Sequence, residues 1–132
     1  MDYQIPKNLK YSPSHEWILR QNDEAVIGIT DYAQDQLGDI VYIEFPEIGV
    51  KFNKGDAIAE IESIKAVEEV IIPVSGEIIE VNTEINDKPE NTNQDPYGKG
   101  WLVRINIVEV GEFENLLSAE DYIELLERLT SD

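Results

Sequence analysis

The sequence predicts a mainly β protein, a small barrel or sandwich with a helix packed on it. Three observations carry this. Most apolar residues fall in short β-branched and aromatic runs, broken every few residues by Gly, Pro, Asn or Asp. Only two segments have helical spacing. The 132 residues, 42% of them hydrophobic, can bury one core and are too few for two domains. Residues 1–132 are thus expected to form a single domain, with residues 1–8 as a disordered N-terminal extension.

In chain order, residues 11–19 read as extended, with Pro13 limiting their pairing. Ala25-Val26-Ile27-Gly28-Ile29 follows the turn signal Gln21-Asn22-Asp23 and reads as a strand. Residues 31–37 read as a short helix. Asp31 is its candidate cap, Gln34 stands three residues on, and Gly38 lies just past its end. Residues 40–45 return to strand, and Pro46 ends it. Residues 51–56 form a turn. Residues 57–61 are a strand with Ala57, Ala59 and Ile61 on one face. Residues 62–66 interrupt the apolar pattern, and residues 67–74 resume it with Val70, Ile72 and Val74 on one face. Ser75-Gly76 turns the chain into a strand at 77–81. Residues 82–100 read as a polar loop, long for a compact domain, and loops of that length tend to be functional or mobile. Residues 101–108 are the last strand. The C-terminal helix, near 119–129, has Ser118 and Asp121 as a capping-box pair. Tyr122, Leu125, Leu126 and Leu129 share one of its faces.

Composition excludes much. Ten Lys and Arg against 28 Asp and Glu give a net charge of −18. Such a surface repels phosphate backbones and anionic lipids, which argues against nucleic-acid and membrane partners. There is no cysteine, so thiolate nucleophiles, disulfides and zinc–thiolate sites are absent. The single histidine, His15, lacks a nucleophile partner and reads as a structural residue near the surface. No apolar run approaches the ~20 residues that span a bilayer. The N-terminus has neither a secretory nor a transit pattern. The expected compartment is the cytoplasm, or the mitochondrial matrix for a mature eukaryotic chain. Trp17 and Trp101 read as core, and the carboxylates show no EF-hand spacing.

One lysine stands out. Lys7, Lys10, Lys51, Lys54, Lys88 and Lys99 lie in solvated approaches, turns or loops. Lys65 alone sits between two apolar strand runs, at or near a hairpin tip if those runs pair. Position alone still reads it as an ordinary turn lysine, weakly paired with Glu62, Glu68 and Glu69.

The wider motifs change that reading. Glu62-Ser63-Ile64-Lys65-Ala66, followed by Pro73-Val74-Ser75-Gly76-Glu77, resembles the attachment region of lipoylated carrier domains. Tyr11-Ser12-Pro13-Ser14-His15-Glu16-Trp17 resembles the amino-terminal signature of the glycine cleavage system H protein family. Residues 28–34, Leu37-Gly38-Asp39-Ile40-Val41, Asn82-Thr83-Glu84 and residues 96–101 are similar to its further segments, in the same order. The resemblance spans roughly residues 9–126.

It implies a barrel-sandwich hybrid fold with a C-terminal helix, in one lipoyl-carrier domain. It implies lipoic acid in amide linkage to Lys65, framed by Glu62, Ser63, Ile64 and Ala66. The chain would be a carrier without turnover of its own. It would shuttle the aminomethyl group of glycine from a pyridoxal-phosphate glycine decarboxylase to a tetrahydrofolate-dependent aminomethyltransferase. An FAD-dependent dihydrolipoyl dehydrogenase would reoxidise the arm, and lipoate-attaching enzymes would install it. Ser14 and Glu16, with Glu69 after the lysine, would line a cleft that shelters the loaded arm. The family often has Asp where this chain has Glu69. A biotin carrier is disfavoured because Ile64 and Ala66, instead of methionines, flank the lysine. A lipoyl domain of a 2-oxoacid dehydrogenase is disfavoured by the His-Glu-Trp segment and the C-terminal helix. A relay that delivers lipoyl groups to other complexes, and an unmodified interaction module, remain as alternatives.

Overall fold

The structure is a computed structural model and describes residues 2–130. The elements run β1 (Lys10–Tyr11), β2 (Glu16–Gln21), β3 (Glu24–Ile29), α1 (Asp31–Leu37), β4 (Ile40–Glu44), β5 (Lys51–Phe52), β6 (Ala57–Ser63), β7 (Val67–Ile71), β8 (Gly76–Val81), α2 (Glu90–Gln94), β9 (Val103–Ile107) and α3 (Ala119–Thr130). Six strands form one antiparallel sheet in the order β1-β2-β3-β9-β8-β5. The other three form a smaller sheet, β4-β6-β7. This is a mainly β barrel-sandwich.

Strand alternation builds two apolar clusters. On β2 and β3, Ile18, Ala25, Ile27 and Ile29 point between the sheets. There they meet Ile43, Ile61, Val70 and Ile72 from the smaller sheet. The residues of opposite phase, Trp17 and Val26, pack on the outside against Tyr122 and Leu126 of α3. Gly28 lies opposite Trp17 across the β2–β3 ladder. A Cβ there would stand 2.6 Å from the Trp17 Nε1, so only glycine lets the indole lie flat on its neighbour strand.

Several sequence expectations change. The extended stretch at 11–19 divides into β1 and β2, because His15 sits at φ 75° in a turn held by its N–H to the Ser12 carbonyl. The cap of α1 is Thr30, whose Oγ1 accepts from the Ala33 N–H; Asp31 lies in the first turn, where its carboxylate accepts from Gln34 Nε2 and the Gln4 N–H. A bulge at Ala57/Ala59 turns Ala57 outward and buries Ile58, Ala59 and Ile61 together. The turn at 51–56 contains the short strand β5, paired with β8. The polar loop at 82–100 is not structureless. It holds a 3-10 turn at Thr83–Asn86 and the helix α2, anchored by buried Ile85 and Thr92. A further 3-10 segment, Val110–Asn115, precedes α3. On α3, Tyr122 and Leu126 are buried and Leu125 half-buried, whereas Leu129 is 53% exposed at the far end of the face. Trp17 is core, while Trp101 is only half-buried.

The N-terminal residues expected as an extension lie across the α1 and α3 surface. Tyr3 and Ile5 pack on the outer cluster, the Tyr97 hydroxyl donates to the Gln4 carbonyl, and the Tyr11 hydroxyl donates to the Pro6 carbonyl.

Two side chains from the 82–100 segment bond the edge of β4. Asn86 accepts from the Ile43 N–H at 2.9 Å and donates to the Ile43 carbonyl at 3.0 Å. Asn93 accepts from the Ile40 N–H at 3.0 Å. At the other edge of the small sheet, the Ile71 N–H donates to Glu16 Oε2 at 3.0 Å.

Candidate functional site

Strands β6 and β7 form a hairpin with Glu62 opposite Val67 and the segment Ser63 to Ala66 at its tip. Ser63 closes that tip. Its N–H donates to the Ala66 carbonyl at 2.8 Å, and its Oγ accepts from the N–H groups of Lys65 (3.2 Å) and Ala66 (3.1 Å). A hydroxyl at this position satisfies backbone groups that a tight turn would leave unpaired. The Ile64 N–H donates to the Asp39 carbonyl, which ties the tip to the segment after α1. Lys65 is exposed, between Ile64 at 67% and Val67 at 56% exposure. Exposed apolar side chains thus flank the one charged residue of the Ser63–Ala66 tip.

Beside the hairpin runs a groove of about 280 Å³. Tyr32, Ala33 and Leu37 of α1 form one wall, Ala66 and Glu68 of the hairpin the other, and His15 stands at one end. His15 is fixed by its Nδ1 on the Tyr122 hydroxyl at 2.9 Å, and that hydroxyl also meets Thr30 Oγ1 at 2.7 Å. Burial holds the imidazole below its ordinary pKa of 6.5, so it is neutral at pH 7. This is the structural histidine the sequence suggests, with the addition that its ring faces the groove.

Ser14 and Glu16 come together. Glu16 is 2% exposed, and its Oε1 accepts from Ser12 Oγ at 2.6 Å and Ser14 Oγ at 2.5 Å. Burial raises its pKa above the ordinary 4.5, and the hydrogen bonds from Ser12, Ser14 and the Ile71 N–H oppose that rise. The carboxylate therefore joins the turn after β1 to the edge of β7. Glu69 is not brought into this group. It faces the other side of its strand and lines a separate groove with Glu44, Phe45 and Glu60. Alternation along β7 gives the groove Glu68 instead. Sequence reading missed Glu68 and the α1 wall, because neither carries a signal apart from the face it presents. Among the described residues, no group of three or more His, Asp and Glu could hold a metal ion. Nor, among the described residues, is any helix long and apolar enough to cross a membrane.

Two antiparallel sheets packed face to face, with a hairpin that holds an exposed lysine at its tip, define a carrier-type domain, a fold that presents a side chain. The sequence model of the glycine cleavage H-protein family matches residues 9–129. A glycine cleavage system H protein of Thermus thermophilus is 50% identical over 123 residues, covering 93% of this chain and 96% of that one. One from Halothermothrix orenii is 46% identical over 125 residues, covering 95% and 98%. The crystal structure of a glycine cleavage system H protein from Mycobacterium marinum superposes with a TM-score of 0.83 at 40% identity, covering 91% of this chain and 97% of that one. The chain belongs to the glycine cleavage H-protein family, a family of lipoyl carriers.

Proposed function

We propose that this chain is the lipoyl-bearing carrier of a glycine cleavage system, with Lys65 the point of attachment. The exposed Lys65 at the closed tip of the β6–β7 hairpin, beside a groove on the same face, is the observation that carries the reading. The bound group would supply a dithiol–disulfide couple on a flexible arm, chemistry that a chain without cysteine lacks. The hairpin does the placing. Ser63 fixes the tip, Glu62, Ile64 and Ala66 frame it, and the shape allows an attaching or reacting enzyme to receive the lysine from outside. Acylation removes the Lys65 charge, so the modified stem no longer needs water around its end. Tethering raises the local concentration of the arm at any docked partner.

The groove fits a chain of methylenes ending in a cation. Ala33, Leu37 and Ala66 give it apolar walls, and Glu68 supplies a carboxylate along it. Ser14 and Glu16 do not line the groove; with the Glu16 oxygens taken by Ser12, Ser14 and the Ile71 N–H, they would serve the shelter by fixing the turn that carries His15. The carrier would take the aminomethyl group of glycine from a pyridoxal-phosphate glycine decarboxylase to a tetrahydrofolate-dependent aminomethyltransferase. A flavin-dependent dihydrolipoyl dehydrogenase and a lipoate-attaching enzyme complete its set of partners. In this reading the chain is a shared substrate that works in the cytoplasm and has no turnover of its own.

Intact mass spectrometry of the chain from its native host tests the reading. One lipoyl adduct is expected, and Lys65→Arg should lack it. A biotin adduct, or none, would overturn the assignment. Reconstitution with glycine decarboxylase and labelled bicarbonate should then give glycine–bicarbonate exchange, and its absence would refute the glycine cleavage role.

A further inference from the structure

The stem of Lys65 does not hang free. It lies across the backbone of Gly38: a Cβ on residue 38 would stand 3.0 Å from Lys65 Cε, 3.4 Å from Nζ and 3.6 Å from Cδ. Gly38 adopts φ 76° and ψ −158°, a conformation that is essentially confined to glycine. The contact is therefore between a lysine stem and a bare Cα.

What holds that bare Cα in place is a side chain from the far end of the 82–100 segment. Asn93 Nδ2 donates to the Gly38 carbonyl at 2.8 Å and to Gln34 Oε1 at 3.0 Å, and Asn93 Oδ1 accepts from the Ile40 N–H at 3.0 Å. One amide thus brackets residues 38–40 from behind. From the front, the Asp39 carbonyl accepts from the Ile64 N–H at the hairpin tip. The hydrogen-bonded path runs from α2 through the segment after α1 to the residue beside Lys65. Asn86 makes a comparable pair of bonds to Ile43, further down β4 and away from the tip.

We propose that Gly38 is the seat of the Lys65 stem and that Asn93 is a positioning residue for acylation at Lys65, acting through that seat. The proposal rests on Lys65 being the attachment point. The seat limits the directions from which the amine can be approached, so an attaching enzyme meets a lysine already confined to one face. Release of the seat leaves the same amine in the same exposed turn, with its direction no longer fixed.

The test uses the full chain with three substitutions. Asn93→Asp keeps an acceptor for the Ile40 N–H and removes the donor to the Gly38 carbonyl. Asn93→Ala removes both. Asn86→Ala loosens β4 without touching the seat. NMR should show nuclear Overhauser contacts between the Gly38 α-protons and the Lys65 ε-methylene in the parent chain and in Asn86→Ala, and their loss in both Asn93 variants. A lipoate-attaching enzyme supplied with lipoyl-adenylate should lose about tenfold in kcat/KM on the Asn93 variants, and none on Asn86→Ala. Labelling of Lys65 by a small acylating reagent should not fall, because the amine stays exposed. Retained contacts in Asn93→Asp, or an equal loss of attachment in Asn86→Ala, would overturn the proposal. Failure of the parent chain to take up any lipoyl group would refute the attachment reading, and the role of the seat with it. Normal uptake that is equal across all four chains would refute the seat alone.

Discussion

Glu16 is the side chain on which most of the local geometry converges. It is buried and shared between a turn and the edge of a strand in the other sheet. Its pKa is raised above 4.5 by burial, so the folded chain holds a proton there at pH values where the unfolded chain has released it. The stability contributed by this group is full below pH 4.5 and is lost as pH rises through the folded value. Glu16→Gln cannot ionise. The Gln variant should therefore gain in Tm relative to the parent as pH is raised from 4 to 7, and calorimetry across that range checks the sign. Glu16→Ala removes the acceptor of three donors and should cost about 2–3 kcal/mol near pH 4, with the difference from the parent shrinking as pH rises. Lys65, Ser14 and Glu16 could be singled out from the sequence because each lies within a short motif. Asn93 and Glu68 were not. The partners of Asn93 lie 53, 55 and 59 residues away, and an asparagine among Pro, Asp and Gly reads as an ordinary loop residue until those partners are known.

At the scale of elements, the two longer helices were legible for the same reason: each declares its ends locally. Helix α3 has its capping box, with the Asp121 N–H donating to Ser118 Oγ at 3.1 Å and the Ser118 N–H to the Asp121 carboxylate at 3.4 Å. Ser118→Ala should cost about 1 kcal/mol and lower the protection of the first turn of α3 in hydrogen exchange, while the β6–β7 amides keep theirs. The hidden elements have no such local signature. Helix α2 is five residues long with no side-chain cap, and its first residues follow Pro89. It exists because Thr92 is buried against Gly100, where a Cβ on the glycine would stand 2.7 Å from the Thr92 Cα. The shift from Asp31 to Thr30 as the cap of α1 has a similar cause. Thr30 is also tied to the Tyr122 hydroxyl of α3, which sets where the helix begins.

For the molecule as a whole, composition and period were enough to predict a small β fold with one helix packed on it. The pairing of strands was not legible, because β3 with β9 and β5 with β8 join segments far apart in the chain. The net charge of −18 acts at this scale too. It would favour partners with basic docking faces and speed the first encounter with them. Stopped-flow association with those enzymes should slow steadily as ionic strength rises through the range where the Debye length falls from about 10 Å to about 3 Å. A flat profile would leave the charge with no part in docking.

The amide bonds along β4 have one more consequence. A carrier visits several enzymes in turn and must not stick to its own kind between visits. Strands at the rim of a sheet invite that, since their unpaired backbone groups are a ready template for a second chain. Here Asn86 and Asn93 occupy the rim on one side, and Glu16 occupies it on the other. At Ile40, Ile43 and Ile71 the rim of the sheet that bears the lysine is thus bonded within its own chain, and those groups are not offered to a twin.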